Sequence, residues 1–170
     1  MRSSAFRKVL FVLVLMLPMC CFFRPDVMAI GQERYVASSF ARGSFPLVQG
    51  NSAAAIYVDS KDWPGVIRAA NDLQADIARV TGVKAAIFND IGRVGKMVIL
   101  VGTLGKSSVI DQLVRTHKID AGPIAGKWES FFLQVVPNPL PGVSMALVIV
   151  GSDKRGTIYS AQLNSAPVLR

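Results

Sequence analysis

Residues 126–159 read GKWESFFLQVVPNPLPGVSMALVIVGSDKRGTIY, and the order of the parts decides the fold. Residues 131–136 and 145–150 are rich in Val, Ile, Leu and Phe, side chains that fit a pleated and mostly buried surface, so they predict two strands. Between them lie Pro137, Pro139, Pro141 and Gly142. Three prolines remove three backbone donors that a continuing ladder needs, so the first strand is expected to stop before them. Ile149, Val150 and Gly151 end the second strand, and Ser152 or Asp153 then offers an N-cap for a helix. Strand, turn, strand and capped helix form a scaffold signal with no chemistry of its own.

Working back from this hairpin, the clearest helix lies before Gly82. Asp62 is positioned to cap it, and Pro64 sits in the first turn, where a missing N–H costs little. Val66, Ile67, Ala70, Leu73, Ile77 and Val80 recur at three- and four-residue steps and define one apolar face. Arg68, Asn71, Asp72, Gln74, Asp76 and Arg79 take the other, and Gly82 supplies a left-handed stop. Residues 45–48, 53–58, 85–88 and 97–101 read as strands, the first ended by Gly50 and Asn51. A second helix carries Ile110, Leu113 and Val114 inward, with Ser108 and Asp111 at capping-box spacing. Residues 120–126 form a loop rich in Gly and Pro. The pattern predicts an α/β or α+β sandwich: one sheet of about five strands with two or three helices packed on it. Strand sense stays open, because pattern alone does not separate parallel from antiparallel pairs.

At 170 residues the chain has room for one domain with a real core. Arg2, Arg7 and Lys8 precede an uncharged apolar run over 9–23, and Val27-Met28-Ala29 follows with small residues at the −3 and −1 positions. A basic start, a short apolar stretch and such a site read as a secretory signal peptide over 1–29, hence a secreted or periplasmic product. The run is short of the roughly 20 residues of a membrane-spanning helix; an uncleaved anchor is the alternative. A lipidated-cysteine reading is weaker, since Met19 stands where a small residue would precede Cys20. Both cysteines, Cys20 and Cys21, leave with the leader, so no disulfide is expected. Four basic residues (Arg2, Arg7, Lys8, Arg24) and Asp26 leave too, and the formal charge falls from +8 to +5. Residues 30–43 are polar and patternless, a flexible lead-in. The remaining charges are scattered, which argues against a nucleic-acid partner, and the mature chain is not expected at a membrane.

Five groups invite a chemical reading. Gly105-Lys106-Ser107 resembles a phosphate loop, but position 100, where that loop needs glycine, is Leu100. Gly102 and Gly105 then read as a tight strand-to-helix turn with Lys106 solvated. His117 is the lone histidine, so neither a histidine-based metal site nor a nucleophile triad is expected, and no cofactor is implied. Asp72 and Asp76 read as a solvated face balanced by Arg68 and Arg79. Trp63 and Trp128 each flank an element and are expected to pack against it rather than stack on a sugar. Lys154 and Arg155 are different. Cations at a helix start oppose its dipole and need a reason to be there: an acidic ligand, a carboxylate of a neighbouring domain, or a solvated turn with Arg155 on loop carbonyls.

Five motifs in order carry a family resemblance: ANDLQADIARVTG (70–82), VGTLGKS (101–107), GKWESF (126–131), NPLPG (138–142) and GSDKRGTIY (151–159). Together they resemble the N-terminal domain of glycoside hydrolase family 115, over residues 45–159. The resemblance implies a fold like the small α/β domain that precedes the barrel in β-hexosaminidases. It also implies a parent activity, release of α-1,2-linked glucuronic acid or its 4-O-methyl form from xylan. Ser160 stands where the family has glycine, and 161–170 is a divergent tail unlike the family's run into its barrel. Without that barrel no catalytic residue carries over, because hydrolysis with inversion needs two carboxyl groups about 6.5–9.5 Å apart across one bond. The expectation is a supporting domain over 44–160, inactive alone, whose partner is the missing catalytic barrel. Two alternatives stand beside it: a weak binder of acidic xylan fragments through Lys154, Arg155 and a tryptophan, and a non-functional remnant.

Overall fold

The computed structural model describes residues 44–163. The signal-peptide and lead-in readings over 1–43, and the tail from 164, lie outside the described residues. In chain order the elements are β1 (Val48–Gln49), β2 (Ser52–Ala53), β3 (Ala55–Val58), α1 (Pro64–Thr81), β4 (Ile87–Phe88), a 3-10 turn (Ile91–Arg93), β5 (Met97–Thr103), α2 (Ser108–Arg115), β6 (Phe131–Leu140), β7 (Val143–Gly151) and α3 (Lys154–Leu163). β1 and β2 form a two-residue antiparallel ladder. The others make one five-stranded sheet in the order β4-β3-β5-β7-β6. β4, β3, β5 and β7 are mutually parallel, and only β6 runs antiparallel, against β7.

A sheet parallel over most of its width must be covered on both faces, and β5 and β7 show why these sequences suit it. Val98 and Leu100 join one apolar cluster and Ile99 and Val101 the other; in β7, Ala146, Val148 and Val150 share the first and Ile149 the second. α2 supplies Val109, Ile110 and Leu113 to the first cluster, and α1 supplies Val66, Ala70, Leu73 and Ile77 to the second. Burying side chains of this size contributes about 1.5–3 kcal/mol each, so the α1 stripe holds that helix to the sheet. The expected α/β sandwich, one sheet of about five strands with two or three helices, is the observed one, with five strands and three helices among the described residues.

Several local expectations change. β6 runs through Pro137 and Pro139 to Leu140 instead of stopping at Val136. As the outermost strand it has no neighbour on its far side, so a missing N–H removes nothing there. A register shift between Pro137 and Leu140 absorbs the rest, with Asn138 at φ +46°. The reversal is only Pro141-Gly142, with Gly142 at φ +82° between the paired Leu140 and Val143; proline then a left-handed glycine is the type II arrangement. Val80, assigned to the inner face of α1, is instead 61% exposed, so the buried stripe ends at Ile77. Gln74, assigned outward, donates to the Ala85 carbonyl at 2.6 Å and ties α1 to the segment entering β4. Gly82 ends the helix at φ +73°, as expected.

Candidate functional site

The parallel strands deliver Asp59, Thr103 and Gly151 to the same end of the sheet. In open sheets of this kind, ligand-binding groups gather beyond the carboxyl ends of the strands. Here the first use of that end is structural. Asp62 does not cap α1 through its side chain: the N-cap is Trp63, which makes no side-chain cap bond. The carboxylate is buried and bridges instead, one oxygen accepting the Trp63 N–H at 2.7 Å and the other the Thr103 N–H at 2.7 Å. The capping-box reading at Ser108 also shifts by one residue. Ser107 is the N-cap of α2, accepting from the Ile110 N–H, and Asp111 accepts from the Gly105 N–H at 2.9 Å. The Ser108 N–H and hydroxyl both donate to Asp59, at 3.0 and 2.8 Å.

Asp59 is held below the ordinary carboxylate range. Burial pushes it up, but the N–H of Lys61 together with the N–H and hydroxyl of Ser108 outweigh that. Neighbouring Tyr57 is pushed up, first by burial and then by the Asp59 charge. Thr103 and Thr157 share a buried hydroxyl contact at 2.9 Å, and the Thr157 hydroxyl donates to the Asp153 carbonyl at 2.9 Å. Thr103 is therefore the donor of that pair, and a relay of hydroxyls links the end of β5 to the start of α3.

Of the two candidate caps for α3, Asp153 is the one used. Its Oδ1 accepts the Gly156 N–H at 2.8 Å and its Oδ2 the Glu129 N–H at 2.9 Å. These amide bonds, Gly156 first, lower its pKa. Ser152 holds the same loop from the other side: its N–H donates to the Ser130 carbonyl and its Oγ accepts the Ser130 N–H. Gly151 and Gly156 permit this crossing. A Cβ on Gly151 would collide with the Thr157 amide, and one on Gly156 with the Ser130 carbonyl.

Lys154 and Arg155, singled out for their place at a helix start, are both exposed and part company. Arg155 pairs with the Glu129 carboxylate at 2.9 Å and donates to the Tyr159 hydroxyl at 3.2 Å. Its guanidinium is pushed further above its usual value, first by Tyr159 and then by Glu129. The carboxylate that explains its position is thus supplied by the same domain. Lys154 turns to an open depression of about 300 Å³ walled by Trp63, Leu104, Lys106, Ser152 and Asp153. Lys106 is not simply solvated, since its ammonium lies 4.4 Å from the centre of the Trp63 ring. Trp63 is 40% exposed, and Trp128 does not pack against its element at all, at 85% exposed. That exposure follows from its place: the loop before β6 is pinned through Glu129 and Ser130, leaving the residue before them projecting outward.

The remaining candidates keep to structural roles. Asp76 pairs with Arg79 at 2.6 Å. His117 follows α2 at φ +55° and is exposed. Gly102 presses on Ser107 and Ile110, where a Cβ would fall 2.6–2.7 Å from their side chains, so the turn is a packing device rather than a phosphate cradle. Among the described residues no cluster of His, Cys, Asp or Glu is arranged to hold a metal ion, and no helix is long and apolar enough to cross a membrane. Sequence reasoning missed Asp59 and Glu129 as tethers. For Glu129 a signal existed, since an acid 26 residues before an unexplained Arg155 is a candidate partner once the hairpin between them is recognised.

No family model and no curated protein matches the chain. A solved structure does: a family GH115 4-O-methyl-alpha-glucuronidase with specificity for decorated arabinogalactans. It is 30% identical over 66% of this chain, with a TM-score of 0.52. The match covers 13% of that enzyme, so the likeness is to one small part of it. The resemblance to family 115 carried by the five motifs is thereby borne out, and with it the glycoside hydrolase connection.

Proposed function

We propose that this domain serves as the non-catalytic supporting part of a family 115 glycoside hydrolase, one that releases α-linked glucuronic acid or its 4-O-methyl ether from a plant polysaccharide. The supporting observation is the 30% identity to a segment that makes up 13% of a 4-O-methyl-alpha-glucuronidase. The chemistry of the described residues agrees. Asp59, Asp62 and Asp153 at the strand ends each accept two or more hydrogen bonds from the domain itself, work that fits a supporting scaffold. The charged part shared by glucuronoxylan and a glucuronylated arabinogalactan is the uronic acid, so the proposal names the sugar released and not the backbone that bears it. We place the domain against a catalytic barrel, and the product outside the cytoplasm after loss of the leader over 1–29.

The direct test is to incubate the purified chain with glucuronoxylan and with glucuronylated arabinogalactan and to measure free glucuronic acid. The expected result is none above the enzyme-free control from either polymer. Steady release by the chain alone would contradict the supporting role.

A further inference from the structure

The outer edge of the sheet carries a row of backbone groups that no described strand uses. Within a strand, the N–H and C=O of one residue point to the same side, and successive residues alternate. In β7 the Met145 N–H reaches the Lys96 carbonyl and the Gly151 carbonyl accepts from Leu104, so the odd-numbered residues there face β5. Their partners across the ladder, Phe131, Leu133, Val135 and Pro137, therefore face away from β7. The Ser152 N–H, donating to the Ser130 carbonyl, shows the even-numbered set facing inward. β6 is last in the strand order, so the N–H and C=O groups of Phe131, Leu133 and Val135 meet no described strand. Natural sheet edges are blunted by charge, proline or a bulge. Residues 131–136, FFLQVV, carry no charge, and the prolines and the register shift begin only at Pro137. Phe131, Phe132, Leu133 and Val135 are left half-buried, and Trp128, just before the strand, is 85% exposed.

We infer that this edge pairs with a second copy of the chain, β6 against β6 in antiparallel sense about Leu133. The segment is its own complement. A two-fold axis at Leu133 sets Phe131 of one copy opposite Val135 of the other, and every outward donor then meets an outward acceptor. Phe131 and Val135 form aromatic-to-β-branched pairs across the junction, a favourable combination. The same register sets Pro137 opposite Glu129. Pro137 has no N–H to offer, and the Glu129 N–H is already held by Asp153 at 2.9 Å, so the ladder stops at both ends with no donor orphaned. The register also brings Trp128 of one copy beside the exposed Pro137 and Asn138 of the other, which gives the exposed indole an anchoring place. An unrelated strand would not need these matches between the two ends of β6, and a second copy does. A junction this short buries less than the roughly 1,200–2,000 Å² of a standard interface, so the pair is weak and reversible. Its basis is the edge alone and not the glycosidase reading.

The test is sedimentation velocity of the purified chain from about 1 to about 500 μM, with amide hydrogen exchange at both ends of that range. A reversible monomer–dimer equilibrium is expected, with monomer prevailing at the low end and dimer at the high end. The amides of Phe131, Leu133 and Val135 should gain about threefold protection or more in the dimer, while those of Phe132 and Gln134, facing β7, should be protected at both concentrations. Trp128→Ala and Val135→Pro should each raise the dissociation constant at least about tenfold. Trp128 is exposed, and a proline at 135 loses only an outward N–H, as Pro137 does, so both variants should unfold cooperatively like the parent. Val80→Ala, exposed on the helix that leads to the other edge, should leave association unchanged. A monomer at every concentration, an open-ended series of larger species or a dimer indifferent to both variants would each overturn the pairing. So would outward amides as protected at the lowest concentration as at the highest, since a segment of the same chain would then hold the edge.

Discussion

Asp153 holds Glu129 across 24 residues of sequence: its Oδ2 accepts the Glu129 N–H at 2.9 Å while its Oδ1 caps α3 on the Gly156 N–H at 2.8 Å. One carboxylate thus fixes both the start of a helix and the loop entering the edge strand. Glu129 sits at φ +51°, a left-handed conformation that a non-glycine residue keeps only when its surroundings enforce it. Its own carboxylate, 2.9 Å from Arg155, closes the ring of contacts.

Asp153→Ala removes the cap and the loop tether together. Loss of a helix cap alone costs about 0.5–2 kcal/mol, and each kcal/mol lowers the melting temperature of a domain near 100 residues by roughly 4–8 °C. Thermal unfolding should therefore show a drop of about 2 °C or more. The loop before β6 should also lose hydrogen-exchange protection at Glu129 and Ser130. An unchanged melting curve would show that the tether is idle.

The same residue sets an acid limit. Asp153 and Asp59 both have folded-state pKa values below the ordinary carboxylate range. The unfolded chain then takes up a proton first as the pH falls, so their contribution is complete above the unfolded pKa of about 4 and is lost as the pH falls through the folded values. Stability should be level between about pH 5 and 7 and should decline below about pH 4. In Asp153→Asn the decline should be shallower, because one of the two titrating groups is gone. A decline as steep as in the parent chain would assign the acid sensitivity elsewhere.

Gly151 and Gly156 are required by contact. A methyl group at either meets backbone, the Thr157 amide or the Ser130 carbonyl, and backbone cannot move aside as a long side chain can. Gly156→Ala should cost at least the roughly 1–3 kcal/mol of ordinary overpacking and should be visible as a loss of folded yield or a lower melting temperature. Gly95→Ala, where a Cβ meets nothing within 4 Å, is the control expected to leave the melting temperature unchanged.

Leu73 tests the packing of α1 onto the sheet. It is 2% exposed within the stripe shared with Val66, Ala70 and Ile77. Leu73→Ala should cost about 2–5 kcal/mol, while Val80→Ala, at a position 61% exposed, should be close to neutral by chemical denaturation.

The sheet and its helices were legible because their signals are periodic. The apolar runs of β5 and β7, the stripe on α1 and the left-handed stop at Gly82 each follow from spacing alone. What spacing cannot carry is a side chain's choice between a local and a distant partner. Asp62 had cap spacing, yet its carboxylate bridges to Thr103, 41 residues away, because β5 ends beside it. Pro137 marked a strand end by chemistry, and only its place on the outermost strand made it harmless. At the candidate site, Lys154 was visible as a cation out of place on a helix, whereas Lys106 and Trp63 met across the depression only once β5 and α1 were side by side.

The central claim is that this domain supports a family 115 glucuronidase, and a chimera tests it most directly. In a family 115 α-glucuronidase, the segment matching residues 45–159 is replaced by that of this chain, and release of glucuronic acid is compared with the parent enzyme and with a deletion of the segment. The account predicts that the chimera keeps most of the parent's activity while the deletion loses it. A chimera that is folded and soluble but as inactive as the deletion would contradict it.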